Sequence, residues 1–114
     1  MKAVAKKPGS DPGPLMPLDH LRTAAECLKC AAHPHRLRII EILLRGNFTV
    51  DEIASQCELS QPATSGHLRL MEAKGLLTSA RTGRTVYYSV AAPELKGIMD
   101  CVHNHVSAAK ETAK

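Results

Sequence analysis

The sequence predicts a mainly α-helical domain that carries a β-hairpin before its last helix. Three observations predict this fold class. Apolar residues recur at helical spacing through most of residues 18–73 and again after Pro93. Between those segments the period changes to two, over a stretch rich in Thr, Val and Tyr. Helix-capping residues, glycines and prolines separate the helical segments from one another. The predicted order of elements is therefore α-α-α-α-β-β-α, within a domain at residues 18–109.

The two ends of the chain are predicted to lie outside this domain. Residues 1–17 hold four of the seven prolines, together with two glycines and three lysines. Such a segment buries too little apolar surface to fold by itself, so we expect a flexible basic tail. Residues 110–114 are expected to form a short C-terminal tail.

The first two helices are predicted from their apolar patterns. The first has an apolar stripe made of Leu18, Leu21, Ala25, Leu28 and Ala32. His33-Pro34 ends this helix, and proline is tolerated in the first turn of the next. The second helix is apolar nearly all round over residues 36–44, so it is predicted to be the buried centre. Gly46-Asn47 stops it.

Capping residues predict where the third and fourth helices begin. Thr49 and Glu52 have the spacing of a capping box, in which each side chain satisfies a free backbone amide of the other residue. The short helix that follows should turn Cys57 inward as a structural residue. Ser60 is a suitable N-cap for a fourth helix over residues 61–73.

The hairpin and the last helix complete the predicted domain. Strands are expected at Leu76–Arg81 and Arg84–Val90, with Thr82-Gly83 as the turn. Pro93 opens a final helix whose inward positions are Leu95, Ile98, Val102, His105 and Ala109.

Composition restricts the class of protein. The chain has 114 residues, a formal net charge of +4 and only four cysteines, too few and too irregular for a secreted disulfide framework. It has no apolar run long enough for a membrane span and no signal peptide. Phosphate loops, nucleophile elbows and paired carboxylates are also absent, so we expect no enzyme. The simplest expectation is a cytoplasmic protein with free thiols.

Residues 49–90 have the pattern of a winged helix-turn-helix that binds double-stranded DNA. Two short helices are joined by Glu58-Leu59-Ser60 and followed by a basic hairpin. Between Ser60 and Val90 four cationic residues stand against one acid, Glu72. We predict that the DNA-binding residues are Ser60, Gln61, Thr64, Ser65, His67, Arg69, Arg81 and Arg84.

The residues predicted on the fourth helix fall on different faces of it. At about 100° per residue, Gln61, Ser65 and Arg69 fall on one polar face, and their groups can hydrogen-bond to bases and phosphates. His67 projects nearer the apolar face, so a packed histidine is the alternative. The alternative for the whole domain is a winged helix that only binds other proteins.

Several segments resemble the ArsR/SmtB family of bacterial repressors. They are Leu28–Ile39, Leu59–Pro62, Ser65–Leu68, Lys74–Leu77 and Gly83–Ser89. The resemblance covers about residues 18–106. It implies a homodimer joined through the first and last helices, a palindromic operator, and release from DNA when an inducer binds.

The resemblance also implies where an inducer could bind, and this chain departs from two of those places. In the family, a thiol site lies at the start of the helix that precedes the recognition helix, which is the fourth helix here. That site matches residues 49–52, which contain no cysteine. The carboxylate and histidine site on the closing helix matches Ala92, Glu94, His105 and Ala108, of which only Glu94 and His105 could ligate a metal. Both sites are therefore expected to be absent or degraded.

A different set of residues could hold a transition-metal or metalloid ion. Cys27 and Cys30 lie one turn apart on the first helix, and Cys101 and His105 lie one turn apart on the last. Because the resemblance implies that these helices pack together, two such pairs could surround one soft or borderline metal, within or across subunits. Two alternatives stay open: a thiol redox or persulfide switch, and cysteines that act only as small buried hydrophobes.

Overall fold

The computed structural model describes residues 13–112, with the side chains of residues 110–112 excluded. Within these residues it contains five helices and three strands. The helices are α1 (Leu18–Ala31), α2 (Pro34–Leu43), α3 (Val50–Cys57), α4 (Gln61–Ala73) and α5 (Leu95–Thr112), and the strands are β1 (Phe48–Thr49), β2 (Leu77–Thr82) and β3 (Thr85–Val90). The fold is a winged helix-turn-helix, as predicted.

The predicted caps set the helix boundaries. The backbone amide of Thr49 donates to Glu52 Oε1 at 2.8 Å, and that of Glu52 donates to Thr49 Oγ1 at 3.2 Å, which completes the capping box of α3. Ser60 Oγ accepts from the backbone amide of Ala63 at 3.2 Å and caps α4. Between these helices Glu58 adopts a left-handed conformation (φ 56°), which turns the chain sharply toward Ser60.

The core forms around α2, as its largely apolar surface predicted. Ile39 and Ile40 of this helix are almost completely buried. Side chains from every other helix and from the hairpin pack in the same cluster, among them Ile53, Leu68, Met71, Leu77 and Leu95. The helix-turn-helix and the wing therefore share one core.

The sheet has one strand more than predicted. β1 pairs with β3 in antiparallel register, Phe48 opposite Tyr88 and Thr49 opposite Tyr87, so the order is β1-β3-β2. Two residues are too few for a periodic pattern, and Thr49 serves both this strand and the α3 cap. The hairpin turn also lies one residue later than predicted. Thr82 pairs with Thr85, which leaves Gly83 and Arg84 as the loop.

The apolar stripe of α1 is only partly buried. Leu21 is 48% exposed and Leu28 is 50% exposed, whereas Cys30 and Ala31 are buried in the core. The exposed leucines follow the helical repeat, and about half of each side chain is open to solvent in the described part of the chain.

The last helix extends further than predicted. α5 reaches Thr112, so residues 110–112 are helical and do not form a tail. Leu95 is buried, but His105 and Ala109, predicted to face inward, are exposed. No helix in the described part of the chain is long and apolar enough to cross a membrane. Residues 1–12 of the predicted N-terminal tail and residues 113–114 lie outside the described residues.

Candidate nucleic-acid interface

Helix α4 is seated in the core through one face. Thr64, Leu68 and Met71 are completely buried there. The hydroxyl of Thr64 donates to the backbone carbonyl of Ser60 at 2.9 Å, which satisfies it without solvent. Thr64 was predicted to contact DNA, and this prediction was wrong because the side chain has no exposed surface. It anchors the helix instead.

The other face of α4 is open to solvent. Gln61 and Arg69 are exposed, and Ser65 between them is half-buried. Ser60 at the N-cap is also exposed, although its hydroxyl is engaged by Ala63. This face offers amide, hydroxyl and guanidinium groups on a helix whose opposite side is fixed, an arrangement that suits a DNA groove.

The wing adds positive charge beside α4. Arg81 at the end of β2 and Arg84 in the hairpin loop are both exposed. Gly83 opens the loop with φ +66°, a conformation that glycine adopts without strain. Glu72, the one acid of this region, accepts a hydrogen bond from Ser79 Oγ at 2.7 Å and is thereby held against the sheet. The exposed groups of the predicted interface are therefore cationic or neutral.

His67 lies at the edge of α4, half-buried and in contact with α2. Its Nδ1 accepts a hydrogen bond from Arg36 Nε at 3.2 Å, and its ring centroid is 5.0 Å from that of His33 and 6.1 Å from that of His35. Burial is the main cause that lowers the pKa of His67, and the nearby charges of Arg36, His33 and His35 lower it further. The packed-histidine alternative thus describes its position well.

Arg36 is the residue that sequence reasoning missed. Its Nη1 donates to the backbone carbonyl of Cys30 at 3.0 Å while its Nε donates to His67. One side chain of α2 therefore joins the end of α1 to the recognition helix. The two partners are distant in sequence, and no periodic pattern could have indicated this contact.

The cysteines predicted to hold a metal are spread over different environments. Cys30 is 6% exposed and packs in the core, Cys27 is half-buried, and Cys101 is exposed on α5, as is His105. Among the residues that the structure describes, no three His, Cys, Asp or Glu side chains are grouped so that they could hold a metal. The four predicted ligands therefore do not form a metal site within one protomer.

Cys27 and Cys57 nevertheless have defined surroundings. Cys27 Sγ lies 3.9 Å from the backbone carbonyl of Lys74, to which it donates, so this thiol contacts the C-terminal end of α4. Cys57 packs against the core, as predicted for a structural residue. Burial raises the pKa of its thiol, an effect that the charge of Arg38 partly opposes.

Together these features define a winged helix-turn-helix with a cationic, solvent-exposed recognition surface. A family model described as "Bacterial regulatory protein, arsR family" matches residues 33–79. The transcriptional activator HlyU of Vibrio cholerae is 35% identical over 80 residues, which cover 70% of this chain and 74% of HlyU. A transcriptional repressor SmtB homologue of Synechocystis is 33% identical over 92 residues, covering 81% of this chain and 70% of that protein.

A solved structure of a related protein has the same fold. The crystal structure of NolR from Sinorhizobium fredii superimposes with a TM-score of 0.70 at 32% identity, covering 81% of this chain and 94% of NolR. The chain belongs to the ArsR family of bacterial regulatory proteins. It is thus a DNA-binding transcriptional regulator and not an enzyme, as the sequence predicted.

Proposed function

We propose that this protein is a homodimeric repressor that binds a palindromic double-stranded operator in the cytoplasm and is released by an inducer. The observation that carries the proposal is the arrangement of α4. One face is locked in the core by three fully buried side chains, and the other presents Gln61, Ser65 and Arg69 beside the two arginines of the wing. A rigid helix with polar groups beside a cationic hairpin fits a major groove and its flanking phosphates.

The exposed apolar face of α1 supports the dimer. Leu18, Leu21 and Leu28 are between 48% and 60% exposed, and Val106 of α5 is 52% exposed. Beside them, an apolar groove of about 500 Å³ is formed mainly by α1 and α5. Association of two such faces would bury this surface and relate the two recognition helices by a two-fold axis, which matches a palindromic operator.

Specific duplex binding is the first expected result. An operator selected from a random duplex library should bind far more tightly than random DNA at about 150 mM salt. Arg69→Ala should weaken operator binding by about 1–3 kcal/mol if the guanidinium contacts a base. The matched control is Arg38→Ala, which removes an exposed arginine of α2 that is paired with Glu41. Fluorescence anisotropy measures both variants.

We expect the wing and α4 to contribute to DNA binding in different ways. Replacing Arg81 and Arg84 by Ala should weaken binding to all sequences and reduce the salt slope by about one for each phosphate that the wing no longer neutralises. No preference of the wild type for any duplex would refute the repressor and favour a protein-interaction module.

For the inducer, we propose a metal or metalloid ion shared between the two subunits. The described residues of one protomer form no metal site, so Cys27 would act with Cys101 and His105 of the other copy across the α1–α5 interface. Cys30 could join only if α1 shifted, since its thiol is buried. The alternative is thiol oxidation or persulfidation at Cys27, which contacts the end of α4 and so could affect the recognition helix.

A titration of the operator complex distinguishes these inducers. We expect zinc, cadmium, copper(I), arsenite or an oxidant to change operator affinity by about 10-fold or more, equivalent to about 1.4 kcal/mol of coupling. Each of the single variants Cys27→Ser and Cys101→Ser should abolish a response to metal. Only Cys27→Ser should abolish a response to the oxidant. Cys57→Ser is the control. Identical responses in all four proteins would show that these cysteines only pack.

A further inference from the structure

We propose that Arg36 is a positioning residue for the recognition helix, because it ties His67 of α4 to the carboxyl-terminal end of α1. This inference rests on the proposed DNA-binding function. Arg36 itself is half-buried and makes two directed hydrogen bonds, of 3.2 Å to His67 Nδ1 and 3.0 Å to the Cys30 carbonyl. It therefore couples three helices through one planar group.

The guanidinium is suited to this role for geometric reasons. Its donors are fixed in a plane, so it can bond two acceptors in different directions at once, which the single ammonium group of lysine does not reproduce. The Cys30 carbonyl lies near the end of α1, where the last carbonyls of a helix lack intrahelical partners. Arg36 satisfies that carbonyl through Nη1 and bonds α4 through Nε.

The same bond selects one form of the His67 imidazole. Arg36 Nε always carries its hydrogen, so His67 Nδ1 must be the acceptor. A neutral ring in this bond therefore has its hydrogen on Nε2. Protonation would add a hydrogen to Nδ1, which would then face the Nε–H donor of Arg36. The hydrogen bond between Arg36 and His67 would be lost.

The surrounding charges favour the neutral ring. His33 at the N-cap of α2 and His35 in its first turn face His67. The recess beside Arg36 is lined by the charged residues Glu26, Lys29 and Lys74, from α1 and the end of α4. Burial and the neighbouring cations lower the pKa of His67 below its ordinary 6.5.

The sign of the pH dependence follows from that lowered pKa. Below about pH 6.5 the unfolded chain binds a proton at this histidine more readily than the folded protein does. The stabilising contribution of the tie is therefore complete above that value and is lost as the pH falls. Operator preference over random DNA should decline in the same direction, because α4 loses its link to α1.

The test compares charge-preserving variants with the wild type. Arg36→Lys should lower the ratio of operator affinity to random-DNA affinity by about 2- to 10-fold at about pH 7.5, the range for one net hydrogen bond. Affinity for random DNA should not change, since the positive charge remains. Arg38→Lys is the matched control on the exposed face of α2 and should leave the ratio unchanged.

A second variant separates titration from packing. His67→Asn offers an oxygen near the position of Nδ1 but cannot be protonated. The ratio of this variant at about pH 7.5 serves as its own reference, and from there the ratio should lose the decline toward about pH 5.5. A decline that persists in this variant would arise from His33 or His35 and would contradict the role of His67.

A measurement without DNA distinguishes failure of the proposed role of Arg36 from failure of the proposed function. Long-range proton–nitrogen NMR of the imidazole should show the Nε2–H form of His67 in the wild type and a mixture of tautomers in Arg36→Lys. Operator preference and His67 tautomer both unchanged in Arg36→Lys would overturn the proposal. Absence of any duplex preference in the wild type, with the Nε2–H form intact, would instead reject the proposed function.

Discussion

Replacing Leu21 and Leu28 together by Asp is expected to give a folded monomer. This monomer should bind the operator about 100-fold or more weakly than the wild type, because linking two binding modules raises avidity by about 10²–10⁴. The two leucines lie two turns apart on one face of α1 and are about half exposed in the protomer. Within a monomer the new carboxylates would be solvated, so folding should change little. At a dimer interface they would be buried without partners, at a cost of several kcal/mol each.

Sedimentation equilibrium together with circular dichroism checks this result. Ser55→Asp is the control, because it adds a carboxylate at an exposed position of α3, away from the α1 face. A wild type that sediments as a monomer at micromolar concentration would contradict the dimer. Ile98 is a less suitable position for the test, since it packs against the protomer core and its replacement would also affect folding.

Leu68→Ala is expected to lower the free energy of unfolding by about 2–5 kcal/mol, the usual cost when a buried leucine leaves a cavity. Leu68 is 0% exposed and lies on the face of α4 that enters the core. Because the same helix carries the proposed DNA contacts, loss of this side chain should also loosen the recognition surface.

Leu70→Ala is the matched control, two residues along the same helix. Leu70 is 38% exposed, so its truncation should lower the free energy of unfolding by no more than about 1 kcal/mol. Urea unfolding at one fixed protein concentration measures both variants, since dimerisation would otherwise shift the apparent stability. Equal losses for the two variants would show that α4 is not seated as described.

Local patterns in the sequence predicted most elements and the outline of the interface. The capping box at Thr49 and the N-cap at Ser60 depend on residues three apart, so the sequence alone located the starts of α3 and α4. The many apolar residues of α2 likewise predicted its burial. Strand β1 was missed because a two-residue strand exists only through its pairing with β3.

Side-chain environments were less predictable along α4 and α1. Thr64 is polar, but its hydroxyl bonds the backbone one turn earlier, so it could enter the core. On α1 the apolar stripe could face the core or a second subunit, and periodicity cannot distinguish these surfaces. The packing of Cys30 and Ala31 inward decided that the leucines face outward.

The sequence by itself thus determined the helices, the hairpin, the cationic recognition surface and the resemblance to a family of regulators. These depend on interactions between residues close along the chain, or on composition and residue type. Only the tertiary structure decided that Arg36 of α2 bonds His67 of α4, and that Cys27 of α1 contacts Lys74 at the end of α4. Such contacts join residues 31 and 47 positions apart, and they form only when packing of the shared core brings the helices together.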